Sequence, residues 1–418
     1  MERGHGLDAA ERLMVAAWPE ALFADDAKAP LVTASKAEFM EAVLTGDHLD
    51  EVVVLRHGVD LLGLKGALPD WLTNALDACE TVAALVRHVA LNDAGAAAAH
   101  CARIEYVDAH GIEREAHACR QTAEGSAPAG ACDAWRSLAA RSLGAVEACE
   151  AAGEAALLYA CEMRRLRSRG RGGFASKSLL EKSVRDDGFG SLSRWAPMWD
   201  VCDDGVFVGG FGSGKGLHMD QCLWANVGAN WRGFKLVATW RAGADSKRMV
   251  DDFLDVVFSP GLMDARRTEA LLSAHRVVLL RPGDCFVSSG GVAHATLVVK
   301  GLNLTSYESL VTLHPRLVDH FLSSTDPKLR GSRQAADEDM IDGITRTMAR
   351  RLEAVSRDPK PGECSYRCAQ ALRTHYADTV SLLASRGEAL DTTVLRAAAT
   401  FRRAQQEDRK RRKRGRPG

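Results

Sequence analysis

A His-Met-Asp triplet and a later histidine are the residues of this sequence best suited to metal chemistry. The triplet is His218-Met219-Asp220, and His294 follows a Pro-Gly-Asp turn and a Gly-Gly bend. In a β-strand, residues i and i+2 point to the same side, so His218 and Asp220 would project together. A distant histidine completes the two-histidine, one-carboxylate set that binds Fe(II) and leaves coordination positions open. An isolated His-x-Asp is more often a histidine beside a solvated aspartate than a metal site. The presence of His294 is what favours the metal-site interpretation here.

A lysine at the start of an apolar strand is the second candidate for function. Lys235 belongs to the segment Phe234–Trp240 (FKLVATW), which alternates in part like a strand. If its side chain faces the inside of a barrel, the ammonium needs an anionic partner, because a buried unpaired charge is costly. The carboxylate of a bound cosubstrate would supply that partner. The competing interpretation is an outward, solvated lysine.

These elements occur in an order that resembles a known family. The pattern H-x-D-x(12)-G-x-K, followed by PGD-x-F-x(3)-G-x(3)-H, is similar to the JmjC domain of Fe(II)/2-oxoglutarate oxygenases and covers residues 195–312. The resemblance implies that His218, Asp220 and His294 bind Fe(II) and that Lys235 pairs with the C5 carboxylate of 2-oxoglutarate. It also implies that O2 and 2-oxoglutarate are consumed while a protein substrate is oxidised. Demethylation of a histone lysine and hydroxylation of a side chain both fit.

The polar residues around the expected cosubstrate depart from the family pattern. The family often has Thr or Ser three residues before the first iron-binding histidine, where this chain has Lys215. Lys215 would add a second cation or point away, and Ser213 could provide the hydroxyl instead. The Asn or Tyr that the family often carries about ten residues after that histidine is replaced by Gly228, with Asn226 close by. We therefore expect Ser213, Lys215 and Asn226 to join Lys235 in binding the cosubstrate.

The last strand of the motif region carries a further polar candidate. Alternation places Asn303, Thr305 and Tyr307 on one face and Ser306 with Glu308 on the other. By family position, Ser306 and Glu308 are expected to point inward, and Ser306 is included among the cosubstrate-binding residues.

Composition and charge exclude several classes of protein. The 418 residues carry a formal net charge of -1 and 46% hydrophobic residues, which argues against a disordered chain and against a protein that is basic throughout. No stretch approaches the roughly 20 apolar residues of a membrane span, and the charged N-terminal residues do not resemble a secretory signal. Eleven scattered cysteines favour free thiols in a reducing compartment.

The pattern along the chain predicts an α+β protein with a central double-stranded β-helix of the jelly-roll or cupin kind. Residues 1–175 are expected to be mostly helical, with one strand at Glu51–Leu55 and no recognisable role. Residues 195–315 form the β-helix, 330–406 a helical C-terminal region and 407–418 a basic tail. The periodicity predicts these helices: Glu11–Trp18, Ser35–Leu44, Trp71–His88, Ser137–Leu166, Met249–Ala274, Asp337–Val355, Tyr366–Ser385 and Thr392–Gln406.

The C-terminal tail, RKRRKRGRPG, is strongly cationic. A solvated tail is the simple interpretation, and the run also predicts nuclear import, with a cytoplasmic location as the alternative. Arg414-Gly415-Arg416-Pro417 resembles the core of an AT-hook. An extended Arg-Gly-Arg can lie in the narrow minor groove of A·T-rich DNA, so chromatin is a candidate partner.

Two other classes of function stay open at this point. The β-helix could be a non-catalytic scaffold, or the tail could dominate in a DNA-binding architectural protein. The intact metal triad favours an enzyme. The helices after the barrel could form a dimer or cover the barrel, and the sequence does not decide between these.

Overall fold

The computed structural model describes a large part of the chain. These residues are 1–66, 68, 70–92, 103–115, 144, 146, 147, 149, 151, 157–164, 198–220, 222–311, 314–323, 366–387 and 390–414. The strands are β1 (Glu2–Arg3), β2 (Leu31–Thr33), β3 (Val52–Leu55), β4 (Arg103–Val107), β5 (Glu113–Glu115), β6 (Leu157–Arg164), β7 (Met198–Gly209), β8 (His218–Met219), β9 (Trp224–Thr239), β10 (Arg276–Leu280), β11 (Cys285–Ser289) and β12 (Ala293–Val311). The helices are α1 (Ala9–Val15), α2 (Ala21–Ala24), α3 (Lys36–Thr45), α4 (Gly58–Leu61), α5 (Asp70–Ala78), α6 (Val82–Asn92), α7 (Ala244–Phe253), α8 (Ala265–Leu272), α9 (Pro315–Ser323), α10 (Tyr366–Ser385) and α11 (Thr392–Arg414).

Strands β7 to β12 form the predicted double-stranded β-helix. The long strands β9 and β12 each contribute to two four-stranded antiparallel layers. In one layer, the first half of β9 lies between β11 and the second half of β12, and β7 pairs on the far side of β12. In the other layer, the second half of β9 lies between β10 and the first half of β12, which also pairs with β8. The α+β class and the jelly-roll core predicted from sequence are confirmed.

Two glycines let β9 and β12 pass from one layer to the other. The ladder between these strands shifts register between Lys300 and Leu304. Gly233 has φ +68° and Gly301 has φ +70°, a conformation that other residues rarely adopt. A Cβ on Gly233 would lie 2.8 Å from the Cα of Asn303, so the close approach of the two strands also requires glycine there.

The N-terminal region adds strands to both sides of the barrel. β3 pairs with β11 and β2 with β3, while β6 pairs with β7 and β4 with β6. The strand predicted at Glu51–Leu55 is confirmed. The expectation of a mostly helical region 1–175 is wrong for these segments, and Leu157–Arg164 is a strand where the end of a helix was predicted. The free edge of β7 offers unpaired backbone groups, and pairing with it outweighs local helix propensity.

Capping residues account for where several helices begin and end. Asp8 and Glu11 form a capping box at the start of α1, and Ser35 caps α3. Gly46 ends α3 in the left-handed conformation. Asp264 accepts the backbone N–H of Arg267 and so starts α8.

Helices cover the outer faces of both layers. The layer containing β10 packs against α1, α2, α7 and α8 through a cluster that includes Trp18, Leu22, Trp240 and Phe258. The layer containing β11 packs against α3 and α10 through Phe39, Met40 and Leu372, among others. A smaller cluster, including Val54, Val237 and Phe286, fills part of the barrel interior. The two outer cores cover the barrel, and its inward face carries this smaller cluster together with the polar residues described below.

The helical predictions have mixed outcomes. Tyr366–Ser385 is confirmed, and the segment Trp71–His88 forms two helices, α5 and α6, instead of one. The insert Met249–Ala274 contains α8 and the second half of α7. The prediction at Asp337–Val355 lies outside the described residues. In the described part of the chain, every helix is too short or too polar to cross a membrane.

The last helix is longer than predicted and reaches into the basic tail. It ends at Arg414 instead of Gln406, because Arg, Lys, Glu and Gln are good helix formers. Arg414 is therefore helical instead of extended. The rest of the AT-hook-like motif, Gly415 to Pro417, lies outside the described residues.

Candidate active site

The three predicted metal ligands meet at one end of the barrel. His218 in β8 and His294 in β12 are cross-strand partners, and Asp220 follows β8 directly. The Nε2 atom of His218 lies 3.8 Å from Oδ1 of Asp220, and Nε2 of His294 lies 3.7 Å from Oδ2. All three ligand atoms lie within 4.8 Å of one another. We call His218, Asp220 and His294 the barrel triad.

Backbone carbonyls orient both imidazoles of the barrel triad. Nδ1 of His218 lies 2.8 Å from the carbonyl oxygen of Gly216, and Nδ1 of His294 lies 3.1 Å from that of Val292. A carbonyl oxygen only accepts hydrogen bonds, so each Nδ1 carries the proton. Each Nε2 lone pair is then free to face Asp220. In metal sites of proteins, a hydrogen bond of this kind from the other ring nitrogen fixes the tautomer and orientation of the histidine.

The electrostatics of the barrel triad favour the protonation states that bind a cation. Burial and the neighbouring His294 lower the pKa of His218 to about 4, so its imidazole is neutral at pH 7. Burial alone would raise the pKa of Asp220, but His294 and His218 outweigh it and the pKa is lowered. At neutral pH the triad presents a neutral His218 and a carboxylate.

Asn226 holds the carboxylate of the barrel triad. Its Nδ2 donates to Oδ2 of Asp220, and its Oδ1 accepts a hydrogen bond of 3.0 Å from Ser309 Oγ. Asn226 was predicted to bind the cosubstrate. The structure places it against Asp220, where it orients a metal ligand.

Lys235 is buried inside the barrel. Its side chain has no exposed surface, and Nζ donates to the hydroxyls of Tyr159 at 2.9 Å and Tyr307 at 3.1 Å. Among the described residues, no carboxylate forms an ion pair with this ammonium. Burial lowers the pKa of Lys235 to about 7. A cation in such a place has two phenols for neighbours and no countercharge of its own.

Tyr159 is a site residue that sequence reasoning missed. It lies in β6, opposite Gly209 of β7. A Cβ on Gly209 would lie 2.8 Å from the ring of Tyr159, so glycine makes room for the ring beside Lys235. The only available signal was the run Leu157 to Tyr159, which was assigned to a helix.

Thr239 is a second residue that was missed. It is the cross-strand partner of His294 and lies four residues after Lys235, on the same face of β9. Its hydroxyl is buried and has no hydrogen-bond partner within the described structure. An unpartnered buried hydroxyl beside the barrel triad is available to a bound group. Strand alternation from Lys235 through Val237 would have been the signal.

Lys215 and Ser213 are occupied by partners of their own. Lys215 Nζ forms ion pairs with Glu105 at 2.7 Å and with Glu113. Although burial opposes it, these two carboxylates raise the pKa of Lys215. Burial and Glu113 raise the pKa of Glu105 to about 7. Ser213 Oγ donates to the Gly210 carbonyl oxygen at 2.7 Å, so neither predicted residue has its polar group free for a cosubstrate in this structure.

The predicted inward orientation of Ser306 and Glu308 is wrong. Ser306 pairs with Ala229 and Glu308 with Val227, and both partners belong to the outer core beneath α3. Ser306 Oγ accepts a hydrogen bond of 2.9 Å from Trp231 Nε1. The opposite face of β12 points inward, as the contact of Tyr307 with Lys235 shows. Alternation separated the two faces correctly, but the choice between them needed the register with β9.

Gly228, which stands where the family often has Asn or Tyr, is explained by its neighbour in the barrel. A Cβ there would lie 2.1 Å from Cζ of Phe286, whose ring occupies that space. This ring packs edge-on against Tyr307, with 5.5 Å between centroids. The space beside Gly228 is thus filled by a neighbour that supports Tyr307.

Comparisons with known proteins give a limited result. No family model matches the chain, and no curated protein matches it. Solved structures of the ribosomal oxygenase YcfD from Escherichia coli are similar to it at 13–14% identity. The alignment with one of them covers 82% of this chain and 71% of the YcfD chain, with a TM-score of 0.34. Another, solved with cobalt and 2-oxoglutarate, covers 80% and 68%, with a TM-score of 0.29. A third covers 74% of this chain and 64% of its own. Because these TM-scores are below 0.5, the functional argument rests on the geometry of the site.

Proposed function

We propose that this protein is an Fe(II)- and 2-oxoglutarate-dependent dioxygenase. The observation that carries the proposal is the combination of two features inside one barrel. The barrel triad has the ligand types, tautomers and charge that Fe(II) requires, and Lys235 is a buried lysine that meets no carboxylate within the described part of the chain. A metal site alone would not call for such a lysine.

The residues of the barrel triad fit a facially bound Fe(II). Two imidazole nitrogens and one carboxylate leave the remaining positions open for small molecules. With iron bound, the site would supply oxidation of a C–H bond by O2, coupled to decarboxylation of 2-oxoglutarate. The protein's own part is to fix the ligands through Gly216, Val292 and Asn226 and to keep the interior dry.

We propose that a small dicarboxylate binds inside the barrel between Lys235 and the barrel triad. Lys235 and Thr239 are four residues apart on β9, a distance of about 13 Å along the strand. Thr239 is the cross-strand partner of His294. The hydroxyl of Tyr307 contacts Lys235, and burial together with the charge of Asp220 raises the pKa of Tyr307. A carboxylate at Lys235 would receive a charge-assisted hydrogen bond and two phenol neighbours. The other end of the same molecule would then face the barrel triad and Thr239.

The substrate is proposed to be a protein side chain, on the strength of the motif resemblance. Histone lysine demethylation and side-chain hydroxylation are both consistent with the site. Mass spectrometry of candidate peptides separates them, since hydroxylation adds one oxygen atom while demethylation removes a methyl group and releases formaldehyde. If the metal centre is active but no peptide or protein is oxidised, the substrate proposal is contradicted and the cofactor proposal stands.

An anaerobic titration tests the cofactor pair without knowledge of the substrate. Purified metal-free protein is titrated with Fe(II) and 2-oxoglutarate while the metal-to-ligand charge-transfer absorption is followed. We expect a saturable band that is lost in Asp220→Ala and kept in Asp252→Ala. Asp252 is a matched control, because it is an exposed aspartate on α7 whose ion pair with Arg266 is 3.9 Å long. A folded wild-type chain without the band would favour the scaffold interpretation.

A separate proposal concerns the cationic end of α11 and the residues that follow it. The helix carries the run from Arg409 to Arg414, and Arg416 adds a further cation. We propose that this end of the chain contacts DNA through phosphates and a narrow A·T-rich groove. Deletion of residues 409–418 should abolish salt-dependent binding to an A·T-rich duplex and leave the charge-transfer band unchanged. Unchanged DNA binding in the deletion variant would refute the proposal.

A further inference from the structure

We propose that Asp47, His314 and His375 form a second divalent-metal site, distinct from the barrel triad and suited to Zn²⁺. Oδ1 of Asp47 lies 3.0 Å from Nε2 of His375 and 3.3 Å from Nε2 of His314. The two imidazole rings are 4.4 Å apart between centroids, and the three ligand atoms lie within 4.8 Å of one another. We call these three residues the outer cluster.

The donor set of the outer cluster selects a class of metal. Two imidazole nitrogens with one carboxylate are ligands of Zn²⁺ and its first-row neighbours, whereas Mg²⁺ and Ca²⁺ prefer oxygen donors. Three protein ligands and one water are also a common tetrahedral arrangement of Zn²⁺. The side chains of His314 and His375 are 10% and 15% exposed, while that of Asp47 is 52% exposed. The site is therefore walled by protein on the histidine side and open to water at the carboxylate.

The charges around the outer cluster support a cation. Oδ1 of Asp47 faces Nε2 of both histidines and is the carboxylate donor of the cluster. Arg316 and Arg373 each lie two residues from a histidine of the cluster; Arg316 contacts Asp50 at 3.2 Å, and Arg373 lies over the ring of Phe401. His48, next to Asp47, faces the carbonyl oxygen of Ala42 at 3.2 Å through its Nδ1. Asp47 thus presents its charge to the two histidines of the cluster.

The outer cluster joins three segments that are far apart in sequence. Asp47 follows the end of α3, His314 directly precedes α9, and His375 lies in the middle of α10. Helix α10 already packs on α3 through Cys368 and Leu372. A metal ion at the cluster would cross-link the C-terminal helices to the wall of the barrel. It would stabilise the folded chain, because the ligands come together only after folding.

One hydrogen bond competes with the metal. Arg316 N–H donates to Nδ1 of His314 at 3.2 Å, at the first turn of α9. A neutral imidazole has one lone pair, so in the metal-free protein the proton of His314 lies on Nε2 and faces Asp47. With Zn²⁺ on Nε2, the proton of the neutral imidazole must lie on Nδ1, and the Arg316 N–H then loses its acceptor. Zinc binding is therefore expected to cost this hydrogen bond.

Zinc binding to the full chain tests the proposal. The measurement uses Asp220→Ala as the background, so that the barrel triad does not contribute, and counts bound Zn²⁺ after equilibrium dialysis against ZnCl2. We expect one zinc per chain and a rise in Tm on adding zinc. Asp47→Asn or His375→Gln in this background should weaken zinc binding by about 100-fold or more, since ligand loss exceeds the effect of outer-shell changes. His110→Ala is the matched control, because it removes an exposed imidazole remote in sequence from the cluster.

Two results would overturn the proposal. The first is a folded Asp220→Ala chain that shows no saturable zinc binding. The second is zinc binding that Asp47→Asn and His375→Gln leave unchanged. Asp47→Asn keeps an acceptor oxygen for the histidines, so its metal-free Tm should stay near that of the background. This keeps a loss of binding distinguishable from a loss of folding.

Discussion

Two regions of this molecule contain the same three ligand types, two histidines and an aspartate, in nearly the same arrangement. In the barrel triad the Nε2–carboxylate distances are 3.7 and 3.8 Å, and in the outer cluster they are 3.0 and 3.3 Å. The two sets differ in the group that faces the Nδ1 atom of the histidines. Backbone carbonyls face both Nδ1 atoms of the barrel triad, whereas an amide N–H faces Nδ1 of His314 in the outer cluster. Both histidines of the barrel triad therefore already have the tautomer that leaves Nε2 open to a metal, whereas His314 must first move its proton from Nε2 to Nδ1 and lose the Arg316 hydrogen bond.

The surroundings of the two sets also differ in what else they could bind. The barrel triad opens onto a buried interior that holds Lys235, whereas the outer cluster opens to water at Asp47. We therefore propose oxidative chemistry with an anionic cosubstrate for the first set of ligands and Zn²⁺ binding for the second. Ligand identity and proximity do not by themselves define a site's function.

The largest expected effect separates the two sets by activity. Asp220→Ala should lower 2-oxoglutarate turnover by about 1000-fold or more, because the metal's contribution to catalysis is several kcal/mol. His375→Gln should leave turnover within about twofold, after correction for folded protein. Succinate formation in the presence of Fe(II) and O2 measures both. Equal losses in the two variants would mean that the clusters are not functionally distinct.

The next largest effect concerns Lys235, the buried lysine that the outer cluster lacks. Lys235→Met should weaken 2-oxoglutarate binding by about 100-fold, since a charge-assisted hydrogen bond contributes about 1.5–3 kcal/mol. Iron binding should persist, because Lys235 does not contact the triad. Lys300→Met, an exposed lysine on β12, is the matched control. The midpoint of the anaerobic charge-transfer titration reports the affinity, and an unchanged midpoint in Lys235→Met would contradict the assignment.

The pH dependence of cosubstrate binding follows from the buried state of Lys235. Burial lowers its pKa to about 7 in the ligand-free protein, and a bound carboxylate favours the ammonium. Below that pKa the lysine is already charged, and this group adds no pH dependence. Above it, binding must take up a proton, and the Kd should rise by up to about tenfold per pH unit. Titrations at several pH values check this, and Lys235→Arg should give a flat profile over the same range. A flat profile in the wild type would show that Lys235 stays charged without a ligand.

The parts of the site that sequence could predict are those set by local rules. Strand alternation placed His218 with Asp220, and the turn and bend signals placed His294 at the start of a strand. Both placements depend on neighbours a few residues apart. The inward position of Lys235 was implied by the family resemblance, because the residues alone left an outward, solvated lysine open.

The rest of the site depends on pairings across the fold. Lys215 meets Glu105, and Lys235 meets Tyr159, only because β4 and β6 extend the sheet beyond β7. The face of Ser306 follows from the register of β12 with β9, and a shift by one residue reverses it. The outer cluster requires the loop after α3, the start of α9 and helix α10 to meet. Such contacts have no signature in local spacing.

The smallest effect concerns how firmly the barrel triad is held. Asn226→Ala removes the amide that donates to Asp220 and should weaken Fe(II) binding by about tenfold, as is typical when a group that orients a metal ligand is lost. Zinc binding at the outer cluster should not change in the same variant, because Asn226 lies in the barrel and Asp47 has other partners. Dialysis with each metal measures both effects in one preparation. If Fe(II) affinity is unaffected, the Gly216 and Val292 carbonyls suffice to organise the triad, and the contrast with the outer cluster rests on the histidine tautomers alone.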